Sequence, residues 1–174
     1  VEPVIIGAGV ATGLHYEIDT PDQLGADRVA NSLAAYRKYG GPVIAIAFGT
    51  ATAFDVITEA GVYIGGAIAP GIGISADALF RLAARLYQVE LVRPPQVIGK
   101  NTVHYMQSGL LLGYAGLVEG LVRRMQAELG APCTVVATGG LADVIAGETD
   151  AITAVEPYLT LDGLRMIYEM NYRG

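Results

Sequence analysis

The sequence predicts an α/β fold, and two observations carry this prediction. Three apolar runs follow one another over residues 43–48, 52–58 and 61–68, and only short turns separate them. Alternating strand and helix patterns come after them, which is typical of a sheet covered by helices. We therefore expect a three-stranded antiparallel meander that further strand–helix units extend, in a single domain over residues 1–174.

The composition limits the class of protein and its partners. The chain has 174 residues, of which 52% are hydrophobic, with a mean hydropathy of +0.43. No apolar stretch approaches the roughly 18 residues of a membrane span, so the surplus suggests a buried interface such as a dimer surface. The net charge of −6 and the absence of a basic cluster argue against a nucleic-acid partner. We expect a cytoplasmic protein with no membrane and no nucleic-acid contact.

Two elements are predicted before the meander. Residues 4–6 form a short apolar run that glycines end, which predicts a strand. Pro21 and Asp22 offer a helix start, and apolar residues recur at helical spacing as far as Tyr39. Gly40, Gly41 and Pro42 then end this helix.

Helices dominate the remainder of the chain. We predict helices over residues 75–86, 103–129, 141–146 and 161–171, and a strand over 134–137. The longest helix carries Gly109, Gly113, Gly116 and Gly120 along one stripe. Each glycine costs a helix about 1 kcal/mol relative to alanine, so this stripe predicts close packing against another backbone. The order of elements is typical of a ribonuclease-H-like domain.

Two short segments carry residue types suited to phosphate chemistry. The turn at Gly49 and Thr50 offers backbone N–H groups that no Cβ obstructs, and the hydroxyls of Thr50 and Thr52 can donate. An ordinary structural turn would have the same residues. Asp27 and Arg28 begin the first predicted helix, where the helix dipole suits an anion. Asp27 could accept a proton from a substrate hydroxyl while Arg28 binds a carboxylate; alternatively, Asp27 only stabilises the helix and Arg28 is solvated.

Six segments, in order, resemble the type III pantothenate kinases. They are residues 25–28, 48–52, 65–71, 99–102, 137–141 and 159–165. The resemblance implies membership of the acetate kinase, sugar kinase, heat-shock chaperone and actin superfamily. It implies a dimeric enzyme that phosphorylates pantothenate with ATP and Mg²⁺ in the first step of coenzyme A synthesis, with the nucleotide between two lobes.

The resemblance also implies a role for individual residues. Asp27 corresponds to the catalytic base of the family. The implied pantothenate-binding residues are Gly25, Ala26, Asp27, Arg28 and Thr102, the last acting across the dimer interface. The implied ATP-binding residues are Gly49, Thr50, Gly139 and Gly140, of which the glycine pair belongs to the adenosine motif. Thr102, considered without the resemblance, is predicted to be the N-cap of the long helix.

The chain departs from the family at several positions. Ala47 stands where the family has an aspartate that helps to hold a monovalent cation, K⁺ or NH₄⁺, and alanine has no side-chain oxygen to ligate it. Ile18 replaces a tyrosine that touches substrate, although Tyr16 could substitute, and Ala53 replaces a hydroxyl residue. Neither histidine has the spacing of a metal site. The phosphate-binding motif of the first lobe is missing, so we expect only the second lobe, inactive in isolation.

Two functions compete at the level of sequence, and we favour the first. The chain is the C-terminal lobe or a subunit of a kinase that forms 4′-phosphopantothenate, with the first lobe in the same or another chain. Alternatively, it is a catalytically degenerate relative that acts as a binding or regulatory subunit. Ala47 favours the second function, whereas the intact Asp27, Arg28, Thr50 and Thr102 favour the first. We expect a homodimer or a similar heterodimer in either case.

Overall fold

The computed structural model describes residues 5–6, 10–83 and 86–172. Its strands are β1 (His15–Tyr16), β2 (Val43–Phe48), β3 (Ala51–Ile57), β4 (Val62–Pro70), β5 (Thr134–Thr138) and β6 (Ala154–Val155). Its α-helices are α1 (Ala26–Tyr39), α2 (Ile72–Leu82), α3 (Thr102–Gln107), α4 (Gly113–Leu129), α5 (Ala142–Ala146) and α6 (Leu159–Tyr172). A 3₁₀ turn covers Pro21–Gln23, and a π-helical segment, Ser108–Leu112, joins α3 to α4.

The strands form one mixed sheet in the order β1-β4-β3-β2-β5-β6. Strands β2, β3 and β4 pair antiparallel, which confirms the predicted meander, and β5 and β6 extend it in parallel. Strand β1 pairs parallel with β4 at the opposite edge. The prediction of an α/β fold is therefore correct.

Helices cover both faces of the sheet, and strand β2 shows how the two layers of core divide. Val43 and Ala45 pack with α1 and α6, whereas Ile44 and Ile46 pack with α4 and α5. All four are buried. Successive side chains of a strand point to opposite faces, so a strand covered on both faces is apolar without alternation. This burial accounts for the uninterrupted apolar run that begins the meander.

Helices α1 and α6 pack closely enough to require a glycine between them. A Cβ built on Gly163 of α6 would overlap the carbonyl oxygen of Ala30 in α1. Lys38 of α1 also forms ion pairs with Asp162 of α6 and with Glu156, just before α6, both at 2.8 Å. The packing of α6 against α1 therefore fixes the position of α1.

Several predicted boundaries were wrong. The strand expected at residues 4–6 lies partly outside the described residues, and Ile5 and Ile6 are not in a strand. Helix α2 begins at Ile72, directly after β4, and ends at Leu82, four residues before the predicted end. Its predicted apolar face is open, since Leu79 and Leu82 are exposed. No packing within the described chain favours a longer helix there.

The long predicted helix is not continuous. A π-helical segment interrupts it at Ser108–Leu112, which contains the first glycine of the stripe. Cβ atoms built on Gly109, Gly113 and Gly116 would meet nothing within 4 Å, and one on Gly120 would meet only the Arg124 side chain. The predicted contact between this stripe and another backbone is therefore not made within the described part of this chain.

No helix among the described residues is both long enough and apolar enough to cross a bilayer.

Candidate active site

The amino end of α1 carries the candidate base. Gly25 is the N-cap, and Asp27 lies exposed in the first turn, as predicted. A Cβ on Gly25 would lie 2.6 Å from Asp27 Oδ1, so a side chain there would require the exposed carboxylate to move. The free N–H groups and the dipole of the first turn stabilise negative charge there. Asp27 is thus an accessible carboxylate at the edge of the fold.

Arg28 extends inward from the same turn and is not solvated. Its Nε donates to Asp55 Oδ1 at 2.9 Å, and its Nη2 lies 2.6 Å from the same oxygen. The Tyr63 hydroxyl donates to that oxygen at 2.7 Å and accepts from Arg28 Nη2 at 3.0 Å. Three donors therefore converge on one carboxylate oxygen. This geometry contradicts the alternative in which Arg28 is a solvated helix residue.

Burial changes the proton affinities of this group, which we call the Arg28–Asp55–Tyr63 cluster. Burial raises the pKa of the Asp55 carboxyl above its usual range, and the hydrogen bond and charge of Arg28 only partly offset this effect. The pKa of Tyr63 is raised by burial and by the charge of Asp55. Burial lowers the pKa of Arg28, but the hydrogen bond and charge of Asp55 outweigh it. Tyr63 therefore remains a proton donor and Arg28 a cation at neutral pH.

A cavity of about 440 Å³ lies beside this cluster. Its lining includes Ile18, Thr20, Leu24, Arg28, Tyr63 and Ile68. The volume falls within the range typical of small-molecule sites, and the lining combines apolar side chains with a cation and two hydroxyls. Tyr16 does not line the cavity: its hydroxyl pairs with that of Thr12 at 2.6 Å. The cavity suits an anionic ligand with an apolar body.

The β2–β3 turn offers fewer free groups than predicted. The Gly49 N–H donates to the carbonyl of Ala51 at 3.0 Å, and the Thr50 carbonyl accepts from Gly71 N at 2.9 Å. Thr52 is fully buried, so its hydroxyl cannot reach a ligand at the turn. Thr50 is exposed and retains a hydroxyl that can donate. Of the hydroxyls predicted for phosphate binding, only that of Thr50 is available.

The turn after β5 lies against the same end of the sheet. Gly139 has φ +100°, and a Cβ there would overlap the carbonyl of Phe48, the last residue of β2. Gly139 and Gly140 are both exposed. The structure thus brings together two segments for which the resemblance implies ATP binding, residues 49–50 and 139–140.

Two further positions singled out from the sequence are Ala47, which has no ligating side chain, and Thr102, which lies outside the cavity lining. Ala47 pairs with Ala53 in β3 and with Thr138 in β5. The described residues hold no cluster of three or more His, Cys, Asp or Glu arranged for a metal. Thr102 does not line the cavity and is not an N-cap. Asn101 is the cap, because its extended backbone lets Oδ1 accept from His104 N at 2.9 Å.

Asp55 and Tyr63 are the site residues that the sequence interpretation missed. Asp55 interrupts the apolar run of β3 with a charge. A charged side chain within a buried strand requires a partner of opposite charge, because an unpaired buried charge is costly. This signal could have indicated that Arg28 or another cation lies opposite Asp55.

The chain is similar to known proteins along most of its length. A family model described as type III pantothenate kinase matches residues 1–124. The type III pantothenate kinase of Roseiflexus castenholzii is 77% identical over 171 residues, 98% of this chain and 67% of that protein. That of Moorella thermoacetica is 57% identical over 170 residues, with the same coverage of 98% and 67%.

A solved structure shares the fold. A Campylobacter jejuni protein described as a conserved Baf family transcriptional activator superposes with a TM-score of 0.64 at 25% identity. The match covers 92% of this chain and 70% of the other. The chain thus spans about two thirds of the length of the relatives that it matches.

Proposed function

Because the chain belongs to the type III pantothenate kinase family, we propose that it supplies the catalytic and pantothenate-binding lobe of a cytoplasmic kinase. This kinase transfers the γ-phosphoryl group of ATP to pantothenate and forms 4′-phosphopantothenate, the first step of coenzyme A synthesis. The observation that carries the proposal is the accessible Asp27 on the turn that also directs Arg28 into the cavity. The strand order of the meander with β5 and β6 supports a ribonuclease-H-like lobe of the actin-like superfamily.

Asp27 acts as the general base in this proposal. Its carboxylate accepts the proton of the primary hydroxyl of pantothenate as that oxygen attacks the γ-phosphorus. The bond to the β,γ-bridging oxygen breaks, and ADP leaves. Mg²⁺ accompanies ATP and neutralises charge on the phosphates. Asp27 is suited to this role because it is exposed and forms no ion pair with Arg28, which is occupied by Asp55.

Arg28 and the amino end of α1 bind the carboxylate of pantothenate. Nε and Nη2 already contact Asp55, so Nη1 provides the remaining donors. The apolar lining at Ile18, Leu24 and Ile68 suits the dimethyl segment of the substrate. The sequence suggested that two nitrogens of Arg28 bind the substrate carboxylate together. In this proposal Arg28 instead contacts the carboxylate through Nη1.

The nucleotide occupies the end of the sheet at residues 49–50 and 139–140. Thr50 donates to a phosphate oxygen, and the exposed Gly139–Gly140 backbone lies against the adenosine. The close approach of Gly139 to Phe48 supports one shared site. The β2–β3 turn and the turn after β5 then bind opposite ends of ATP.

A dimer, homomeric or heteromeric, completes the proposal. Gly109, Gly113 and Gly116 of the α3–α4 region face open space, and Phe80 and Leu82 of α2 are 47% and 87% exposed. Exposed apolar surface of this kind marks association surfaces. The resemblance to the family implies that Thr102 of such a partner acts at this cavity. Sedimentation that finds only a folded monomer at micromolar concentration would contradict this arrangement.

Pantothenate binding tests the proposal directly. Calorimetry on the 174-residue chain should detect pantothenate and find pantothenol, which lacks the carboxylate, at least about tenfold weaker, since a charge-assisted contact is lost. The full-length gene product should phosphorylate pantothenate with ATP. Binding without turnover would favour a regulatory subunit, and neither binding nor turnover would refute the proposed function.

Ala47→Asp should create a dependence on monovalent cations. The new carboxylate would stand at a half-buried position of the central strand β2, where partial burial penalises an unpaired charge and a cation would offset this cost. We expect K⁺ or NH₄⁺ to activate the Ala47→Asp form of the full-length gene product over Na⁺, while the natural form responds weakly. Initial rates during a K⁺ titration measure this, with Ala154→Asp, at a half-buried alanine on the edge strand β6, as the control. Equal K⁺ activation of the natural and Ala47→Asp forms would show that position 47 is not a cation site.

A further inference from the structure

The Asp55 carboxylate is an unusual feature of the sheet. It is fully buried in the middle of β3, opposite Ala45 in β2 and Gly66 in β4. Its Oδ1 accepts from Arg28 and Tyr63, whereas its Oδ2 has no hydrogen-bond partner among the described residues. Asp55 therefore contributes a buried charge that is only half satisfied.

Stability alone does not account for this arrangement. Removing a carboxylate from water costs several kcal/mol, and apolar side chains of similar volume often replace a buried ion pair without loss. Every partner of Asp55 lies on its cavity side: both Arg28 and Tyr63 line the cavity. The free-energy cost of burying the Asp55 carboxylate therefore has one structural consequence: it orients the Arg28 guanidinium.

The contacts restrict the guanidinium strongly. Nε and Nη2 both lie within 3 Å of one oxygen, and the Tyr63 hydroxyl bridges Nη2 to that oxygen. Arginine loses about 2 kcal/mol of rotamer freedom when it is fixed, so a guanidinium already held by the protein binds a ligand at lower entropic cost. The same contacts direct Arg28 away from its neighbour Asp27, whose carboxylate remains free.

We propose that Asp55 and Tyr63 are positioning residues that hold Arg28 for the substrate carboxylate, with Nη1 left to the ligand. This inference rests on the proposed function, because it assigns the carboxylate of pantothenate to Arg28. Asp55 and Tyr63 touch neither the phosphate nor the reacting hydroxyl. Their loss therefore weakens substrate binding more than it slows the chemical step.

Two measurements on Asp55→Asn test the proposal. Asparagine retains an acceptor oxygen and the size of the side chain but loses the charge. In the 174-residue chain, the Arg28 Nε–H should give a sharp NMR signal that exchanges slowly with water and that Arg28→Lys removes. Asp55→Asn should broaden this signal and weaken pantothenate binding about tenfold. In the full-length gene product, KM for pantothenate should rise by a similar factor while kcat changes less than about threefold.

Control variants separate positioning from general damage to the fold. Glu156→Gln removes a carboxylate paired with Lys38 outside the cavity and should change neither readout. Tyr63→Phe should weaken binding more than Tyr36→Phe, because the Tyr36 hydroxyl lies outside the cavity and donates to the backbone carbonyl of Glu59 at 3.4 Å. Should Asp55→Asn unfold, Tyr63→Phe supplies the same test, because it leaves the ion pair in place.

The outcomes distinguish this proposal from the proposed function. An unchanged Arg28 Nε–H signal in Asp55→Asn, or pantothenate affinity equal to that of the natural chain, would overturn the positioning role. Absence of pantothenate binding by the natural chain would instead refute the proposed substrate. In that event the Nε–H signal still decides whether Asp55 holds Arg28.

Discussion

Asp27→Asn should lower kcat of the full-length gene product about 100- to 10,000-fold, the usual cost of removing a general base. The amide matches the carboxylate in size and still accepts hydrogen bonds, but it takes no proton at neutral pH. Asp27 is exposed, and no hydrogen bond to its carboxylate is found among the described residues. We therefore expect little change in the unfolding midpoint, and a smaller change in KM for pantothenate than in kcat. Steady-state rates over a range of pantothenate concentrations measure both constants.

Asp22→Asn provides the matched control for this variant. Asp22 is also exposed, but it lies in the 3₁₀ turn before α1 rather than beside Arg28, and neither Asp22 nor Asp27 is among the residues that line the cavity. Its replacement should leave kcat within about twofold of the natural value, since exposed substitutions away from a site have small effects. If Asp27→Asn retained more than about a tenth of the natural rate, Asp27 would be limited to a structural or binding role.

The family and the main architecture could be predicted from the sequence. The three apolar runs of the meander are long, and turns clearly bound them, so β2, β3 and β4 were placed to within two residues. The six short segments span the chain in a fixed order, and the family model and the relatives confirm the resemblance that they indicate. Such signals are local, so they can be recognised in the sequence without knowledge of the tertiary structure.

The Arg28–Asp55–Tyr63 cluster depends on a feature that alternation does not predict. The pairing of β3 with β4 shifts at Val56 and Ile57, so that Ile57 lies opposite Tyr63 rather than Ile64. The extra residue of this bulge changes which side chains share a face. Tyr63 thereby joins the face of Asp55. A regular register would have placed Tyr63 on the other face, and the pair would not have formed.

Helix boundaries failed where tertiary contacts, rather than the apolar pattern, set the end. The helical pattern continues past Leu82, but the predicted apolar face of α2 is exposed and nothing packs against it. The long predicted helix is interrupted by the π-helical segment at Ser108–Leu112, where the weak helix propensity of Gly109 permits a local change of hydrogen bonding. Neither the end of α2 nor this interruption could be predicted from periodicity, because periodicity indicates which face of a helix is apolar and not what covers that face.

Gly163→Ala should destabilise the chain by about 3 kcal/mol, at the upper end of the cost of overpacking. Its new methyl group would overlap the carbonyl oxygen of Ala30, and neither backbone can move without separating α6 from α1. The gain in helix propensity, about 1 kcal/mol, is too small to offset this overlap. Gly147→Ala is the control: its Cβ would meet its nearest atoms at 3.6 Å, an ordinary contact, so its stability should stay within about 0.5 kcal/mol of the natural chain. Urea unfolding of the 174-residue chain measures both variants. Because α1 carries Asp27 and Arg28, equal stability of the two variants would show that α6 does not fix the helix on which the site is built.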